Sequence, residues 1–153
     1  MDRVASHDFV PAISAAHRLI PKRLHRLVAS DFLCGCDPIF AGLHPYTDAR
    51  YDRSYRDSAH CAYPFHQAGL PKTRRRTTVV LPSPVDPEVV VHELGHVLHE
   101  SLRFEPDCSP VSWYAETDEF ESFAESFTAW LVPGYAERPD LETITLFESL
   151  AVE

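Results

Sequence analysis

The sequence predicts a single α+β domain in which a small, mostly antiparallel sheet packs against two neighbouring helices. Three observations support this prediction. The chain has 153 residues, of which 44% are hydrophobic, and this is enough for one domain with a buried core. A run of β-branched residues lies near the middle of the chain. Two segments with apolar residues at helical spacing follow that run.

The first half of the chain carries weaker signals than the second. Residues 1–10 show no periodicity, and we expect them to be loosely ordered. The apolar residues of Pro11–Leu19 form one helical stripe, and Pro21 ends this helix. Leu24–Phe32 fits either a second helix or a first strand, and both remain open. Two further short strands are predicted, at Ile39–Leu43 and Ala59–Phe65.

The clearest strand is predicted over residues 75–81, which contain the run Thr77-Thr78-Val79-Val80-Leu81. We expect this strand to lie near one edge of the sheet. A long helix follows over residues 87–102, because Asp86 is a favourable N-cap and Pro87 suits the first helical position.

Two more helices complete the predicted domain. The first covers residues 118–131, with Thr117 or Asp118 as its cap and Pro133-Gly134 as its end. The last covers residues 140–151, where apolar residues again recur at helical spacing.

The 87–102 helix contains His92-Glu93-Leu94-Gly95-His96, an H-E-x-x-H pattern. Residues four apart lie on one helix face, so His92 and His96 can direct both imidazoles at one metal ion. Glu93 lies about 100° round the helix, where its carboxylate can act as general base on a metal-bound water. The pattern predicts a zinc site, and the alternative is two unconnected histidines on an acidic helix.

A zinc site with two histidines needs a third protein ligand and an open position for water. His99 lies on the same face, but one turn too far along a straight helix. The longer metzincin pattern fails, because His99 and Leu102 occupy the positions of its glycine and its third histidine. The remaining option is a carboxylate of the next helix, either Glu121 or Glu125, which lie 25 and 29 residues after His96. Spacing alone leaves this choice open.

A resemblance to a known family decides between them. The segment Tyr114-Ala-Glu-Thr-Asp-Glu-Phe-Glu121-Ser-Phe-Ala-Glu125-Ser-Phe127, with the H-E-x-x-H pattern, resembles the catalytic domain of anthrax lethal factor and related small glutamate zincins (gluzincins). The resemblance covers residues 89–130 and implies a zincin-like fold. It implies that Glu121 is the third zinc ligand and that Glu125 supports the ligands without touching the metal. Tyr114 would stabilise the oxyanion or protonate the leaving group.

The resemblance implies a zinc metalloprotease, a hydrolase that cleaves peptide bonds within a peptide or protein substrate. Val79 and Val80 would bind such a substrate by adding it to the sheet as a further strand. Two alternatives remain open: a zinc-stabilised structural or interaction module without peptidase activity, and a peptidase that is active only when a partner protein is bound.

Charge is unevenly divided along the chain, whose net charge is −9. Residues 1–85 hold 12 basic residues (Lys and Arg) and 7 acidic residues (Asp and Glu). Residues 86–153 hold 2 basic and 16 acidic residues. Solvated helix faces and a site for a dication explain the acidic half, and a groove that prefers basic substrate segments is the alternative. The basic run at residues 72–76 is too short to indicate nucleic acid, and no run of 18 apolar residues indicates a membrane span.

Cysteine usage and the N-terminal segment predict a cytoplasmic protein. The 4 cysteines do not suggest a disulfide framework. The alternative is a metal site that joins Cys34 and Cys36 to Cys61 or His60. Met1–Leu19 has no continuous apolar stretch of the kind found in a secretory signal, although export by a route without such a signal stays open.

Overall fold

A computed structural model describes residues 10–34, 42–43, 50–51, 60–62, 77–82, 84–102 and 104–152. For residues 33–34, 42–43, 50–51 and 60–62, the description is limited to the backbone. Loose order was expected for residues 1–10; residues 1–9 lie outside what is described, whereas Val10 is helical. The proposed role of the Cys34, Cys36, Cys61 and His60 side chains also lies outside it.

Helices dominate the described part of the chain, and the four predicted helices are confirmed, each end within one residue of its predicted position. The α-helices are α1 (Val10–Leu19), α2 (Pro87–Ser101), α3 (Glu119–Leu131) and α4 (Leu141–Val152). The strands are β1 (Asp31–Cys34), β2 (Gly42–Leu43), β3 (Arg50–Tyr51), β4 (His60–Ala62) and β5 (Thr78–Leu81). Single 3-10 turns lie at Lys22–Leu24 and Tyr114–Glu116. Among the described residues, no helix is both long enough and apolar enough to cross a membrane.

The segment that fitted either a helix or a strand contains a turn followed by β1. The Nε2 atom of His25 lies 2.9 Å from the carbonyl oxygens of both His17 and Ile20. These contacts satisfy carbonyl groups at the end of α1, where the helix leaves them without partners. The chain therefore turns at this point and becomes extended only from Asp31 onward.

The sheet is mixed. Strand β5 lies in the centre of a three-stranded sheet with the order β1-β5-β4, parallel to β1 and antiparallel to β4. Strands β2 and β3 form a separate antiparallel pair. The predicted combination of helices and sheet is confirmed. The mostly antiparallel character is not, because the longest pairing, between β1 and β5, is parallel.

The predicted edge position of the 75–81 strand is wrong. In the register, Val79 lies between Phe32 of β1 and Cys61 of β4, so both sides of β5 are paired. Val79 and Val80 are both 0% exposed. A continuous apolar run is typical of a strand buried on both faces, which explains the central position. Val79 and Val80 are therefore not open to a substrate strand in this arrangement, and their assignment as substrate-binding residues is corrected.

Close packing of α2 against α3 places the candidate site. A Cβ atom added at Gly95 would lie 3.1 Å from the Cα atom of Ala124 and 3.1 Å from Cδ1 of Phe127. The two helices can approach this closely only because Gly95 has no side chain. Beneath this contact, Phe127 and Phe147 belong to a core that joins the helices to β5. The face of α2 that carries the histidines is thereby held against the face of α3 that carries the glutamates.

Candidate metal centre

Helix α2 supplies two imidazoles to the site. Pro87 occupies its first turn, and Asp86 stands at the N-cap position with an extended backbone, although its side chain makes no capping hydrogen bond. His92 and His96 follow one turn apart on the buried side, and their ring centroids are 4.9 Å apart. The two rings meet edge to face, and Nε2 of each lies near the same carboxylate, that of Glu121.

Helix α3 supplies the carboxylates. The Asp118 side chain accepts a 2.8 Å hydrogen bond from the backbone N–H of Glu121, which confirms Asp118 as the N-cap of this helix. This bond fixes the first turn, in which Glu121 lies, and Glu125 follows one turn later. Both glutamates therefore lie on the face directed at α2.

The structure brings His92, His96 and Glu121 together as a group that could hold a metal ion, with ligand atoms all within 4.8 Å of one another. Nε2 of His92 lies 2.9 Å from Oε2 of Glu121, and Nε2 of His96 lies 3.4 Å from Oε1. Ligands of a tetrahedral ion bound at 2.0–2.1 Å are about 3.3 Å apart. The two distances between a histidine and Glu121 are within a few tenths of an ångström of this separation, so both contacts fit such an ion.

Glu125 contacts the other nitrogen of the same imidazole. Its Oε2 atom lies 3.1 Å from Nδ1 of His92. When Nδ1–H donates to this carboxylate, Nε2 is left with the lone pair that a metal requires. The structure therefore places Glu121 beside the metal-facing nitrogen of His92 and Glu125 behind the ring.

The carboxylates set the proton affinity of the site. Burial would lower the pKa of His92, but hydrogen bonds to Glu121 and Glu125 and the nearby charge of Glu93 outweigh it and raise that pKa to about 9. Burial would raise the pKa of Glu121, but hydrogen bonds and charge interactions with His92 and His96 lower it to about 2. Without a metal, a proton on His92 is therefore held where a cation would bind.

Tyr114 and Glu93 lie next to this group. The ring centroid of Tyr114 is 6.0 Å from that of His92, and the tyrosine is 47% exposed. Burial and the charges of Glu121 and Glu93 raise the pKa of Tyr114, so its hydroxyl is protonated and can donate a hydrogen bond. Glu93 is buried, and its charge acts on both His92 and Tyr114.

Two hydroxyl groups at the site were not predicted from the sequence. Ser112 Oγ donates to Oε1 of Glu125 at 2.9 Å, and Tyr135 Oη donates to Oε2 at 2.5 Å. Neither residue belongs to a spaced pattern. Their approach to Glu125 depends on the course of the loops before and after α3, which local sequence does not specify.

His99 lies outside the ligand group, as the helix geometry predicted. Its Nε2 atom is 3.4 Å from Oε2 of Glu105, and its ring stacks on Phe123 with centroids 4.5 Å apart. It packs between the helices as a buried aromatic ring.

Comparison with known proteins finds no matching protein-family model, no matching curated protein and no matching solved structure. The class of the site therefore rests on its own geometry. It is a group of two histidines and one glutamate on two packed helices, able to hold a metal ion.

Proposed function

We propose that this protein is a zinc-dependent endopeptidase of the gluzincin type with a zincin-like fold. One observation carries the proposal: ligand atoms of His92, His96 and Glu121 lie within 4.8 Å of one another, with Nε2 of both histidines next to the Glu121 carboxylate. The H-E-x-x-H pattern places Glu93 beside that group, which a purely structural metal site does not require.

Zinc is the metal that this set of ligands favours. Two neutral imidazoles and one carboxylate are the protein ligands of many catalytic zinc sites, in which the fourth position takes water. Calcium and magnesium prefer sites built entirely from oxygen atoms. The contact between His92 and Glu125 also fits a zinc site. Histidines that bind zinc through one ring nitrogen usually donate the N–H of the other nitrogen to a carboxylate.

The proposed reaction is hydrolysis of a peptide bond. Bound at this site, zinc would polarise the scissile carbonyl and acidify a water molecule. Glu93 accepts the proton of the attacking water and passes it to the leaving amine. The Tyr114 hydroxyl donates a hydrogen bond to the oxyanion that develops on the carbonyl. The substrate would be a peptide or protein. The proposal includes the form in which the peptidase is active only when a partner protein is bound.

A zinc-stabilised structural or interaction module is the second candidate. The central position of β5 favours it, because both sides of that strand are paired and substrate cannot bind there as a further strand. The exposure of Tyr114 favours the peptidase, because its side chain lies beside His92 and is 47% exposed.

Turnover of a permissive peptide library separates the two candidates. The zinc-loaded wild type should cleave peptides, and Glu93→Gln should retain zinc and lose about 10²- to 10⁴-fold in rate, the usual range for a lost general base. Tyr114→Phe should retain zinc and lose about 10²-fold, as on removal of one oxyanion donor. A zinc-loaded wild type that cleaves nothing, or a Glu93→Gln variant as fast as wild type, would show that the proposal is wrong.

A further inference from the structure

Two hydroxyl groups contact the Glu125 carboxylate in addition to the imidazole of His92. The residue is 5% exposed, so its carboxylate depends on protein partners. Oε2 receives the Tyr135 hydroxyl at 2.5 Å and lies 3.1 Å from Nδ1 of His92. Oε1 receives the Ser112 hydroxyl at 2.9 Å. The two oxygens thus join His92 to two different loops.

The Tyr135 contact depends on the turn that ends α3. Gly134 adopts a φ of 85°, a conformation that glycine reaches without steric cost. The N–H of Tyr135 donates to the carbonyl of Val132 at 3.1 Å, which closes the turn. The tyrosine ring is thereby directed back at Glu125. Since its hydroxyl shares Oε2 with His92, Tyr135 restrains the very oxygen that orients the imidazole.

The Ser112 contact connects Glu125 to the backbone next to Tyr114. The Ser112 oxygen also accepts the backbone N–H of Ala115 at 3.0 Å. Ala115 is buried in this turn, whereas Trp113 is 82% exposed and Tyr114 is 47% exposed, so packing restrains the Trp113 and Tyr114 side chains only weakly. The hydrogen bonds of Ser112 therefore tie the backbone that carries Tyr114 to Glu125.

We propose that Tyr135 and Ser112 are positioning residues with separate tasks. Tyr135 fixes Glu125 against His92 and thereby sets metal affinity. Ser112 fixes the 3-10 turn against the metal centre and thereby sets the position of the Tyr114 hydroxyl and the rate of turnover. The part that concerns turnover rests on the proposed function, whereas the part that concerns metal affinity does not.

Zinc competition titrations and peptide kinetics on four full-length variants test the proposal. Tyr135→Phe should raise the zinc Kd by about 10-fold, the low end for residues that support a ligand. Ser112→Ala should change the Kd by less than about 3-fold and lower kcat by about 10-fold with KM unchanged, since Tyr114 is worth about 10²-fold. Ser112→Thr keeps the hydroxyl and should restore kcat. Ser149→Ala, which removes an exposed hydroxyl of α4, is the matched control and should match wild type.

Three results would overturn the proposal. These are wild-type zinc affinity in Tyr135→Phe, an equal loss of zinc affinity in Tyr135→Phe and Ser112→Ala, or wild-type kcat in Ser112→Ala. Thermal melting identifies a variant that fails to fold, and Ser112→Thr then decides the role of Ser112. If zinc-loaded wild type cleaves nothing, the proposed function alone fails. The zinc Kd then still tests Tyr135. Hydrogen exchange of the Ala115 amide tests Ser112, since exchange should accelerate in Ser112→Ala and not in Ser112→Thr.

Discussion

Nδ1 of His92 lies 3.1 Å from Oε2 of Glu125, on the side of the imidazole opposite the nitrogen that faces Glu121. One ring is thus held between two carboxylates that lie one turn apart on α3. The arrangement assigns them different tasks, since only Glu121 can share a metal ion with Nε2 of both histidines.

Glu125→Ala should weaken zinc binding by about 10- to 100-fold without abolishing it, because the ligand set stays intact and the imidazole loses its support. Equilibrium zinc titration measures this change. Glu119→Ala is the matched control, since Glu119 lies exposed in the first turn of the same helix. Complete loss of zinc in Glu125→Ala would mean that Glu125 is itself a ligand.

Zinc affinity should depend on pH through His92. Its pKa is raised to about 9, so at neutral pH a proton must leave Nε2 before zinc can bind there. Affinity is expected to rise from pH 7 toward about 9, with roughly one proton released per zinc at pH 7. Isothermal titration in buffers of different ionisation enthalpy measures that proton. Affinity independent of pH, with no proton release, would contradict the position of this proton.

The metal-free protein should show the opposite trend above neutral pH. The raised pKa of His92 contributes stability that is fully present below pH 6.5 and is lost as pH rises through about 9. The lowered pKa of Glu121 contributes stability present above pH 4.5 and lost as pH falls towards about 2. Thermal melting after chelation should therefore give the highest Tm between about pH 4.5 and pH 6.5. A Tm that rises steadily above pH 6.5 would contradict the ion pair.

Gly95→Ala should destabilise the fold by about 1–3 kcal/mol, because the new methyl group meets the Ala124 backbone at 3.1 Å. Moving the helices apart should also reduce zinc affinity. Chemical denaturation measures the first effect, and Ser101→Ala, at an exposed position of the same helix, serves as control. A Gly95→Ala variant as stable as wild type would show that α2 and α3 do not pack as described.

The parts that local sequence could predict are those with a local physical cause. Asp118 caps α3, and His92 and His96 share a face, because capping and helical spacing act over a few residues. The central position of β5 depends on pairing with β1 and β4, which are distant along the chain. The run Val79-Val80-Leu81 carried a signal of burial on both faces that the edge prediction overlooked. Ser112 and Tyr135 reach Glu125 only through the tertiary course of two loops.

The most direct test of the account is the zinc content of Glu121→Ala compared with Glu119→Ala and wild type, each dialysed against the same limiting free zinc. We expect about one zinc per chain in wild type and Glu119→Ala, and almost none in Glu121→Ala, which leaves only two histidines at the site. A Glu121→Ala variant that retains one zinc with wild-type affinity would contradict the ligand set of His92, His96 and Glu121.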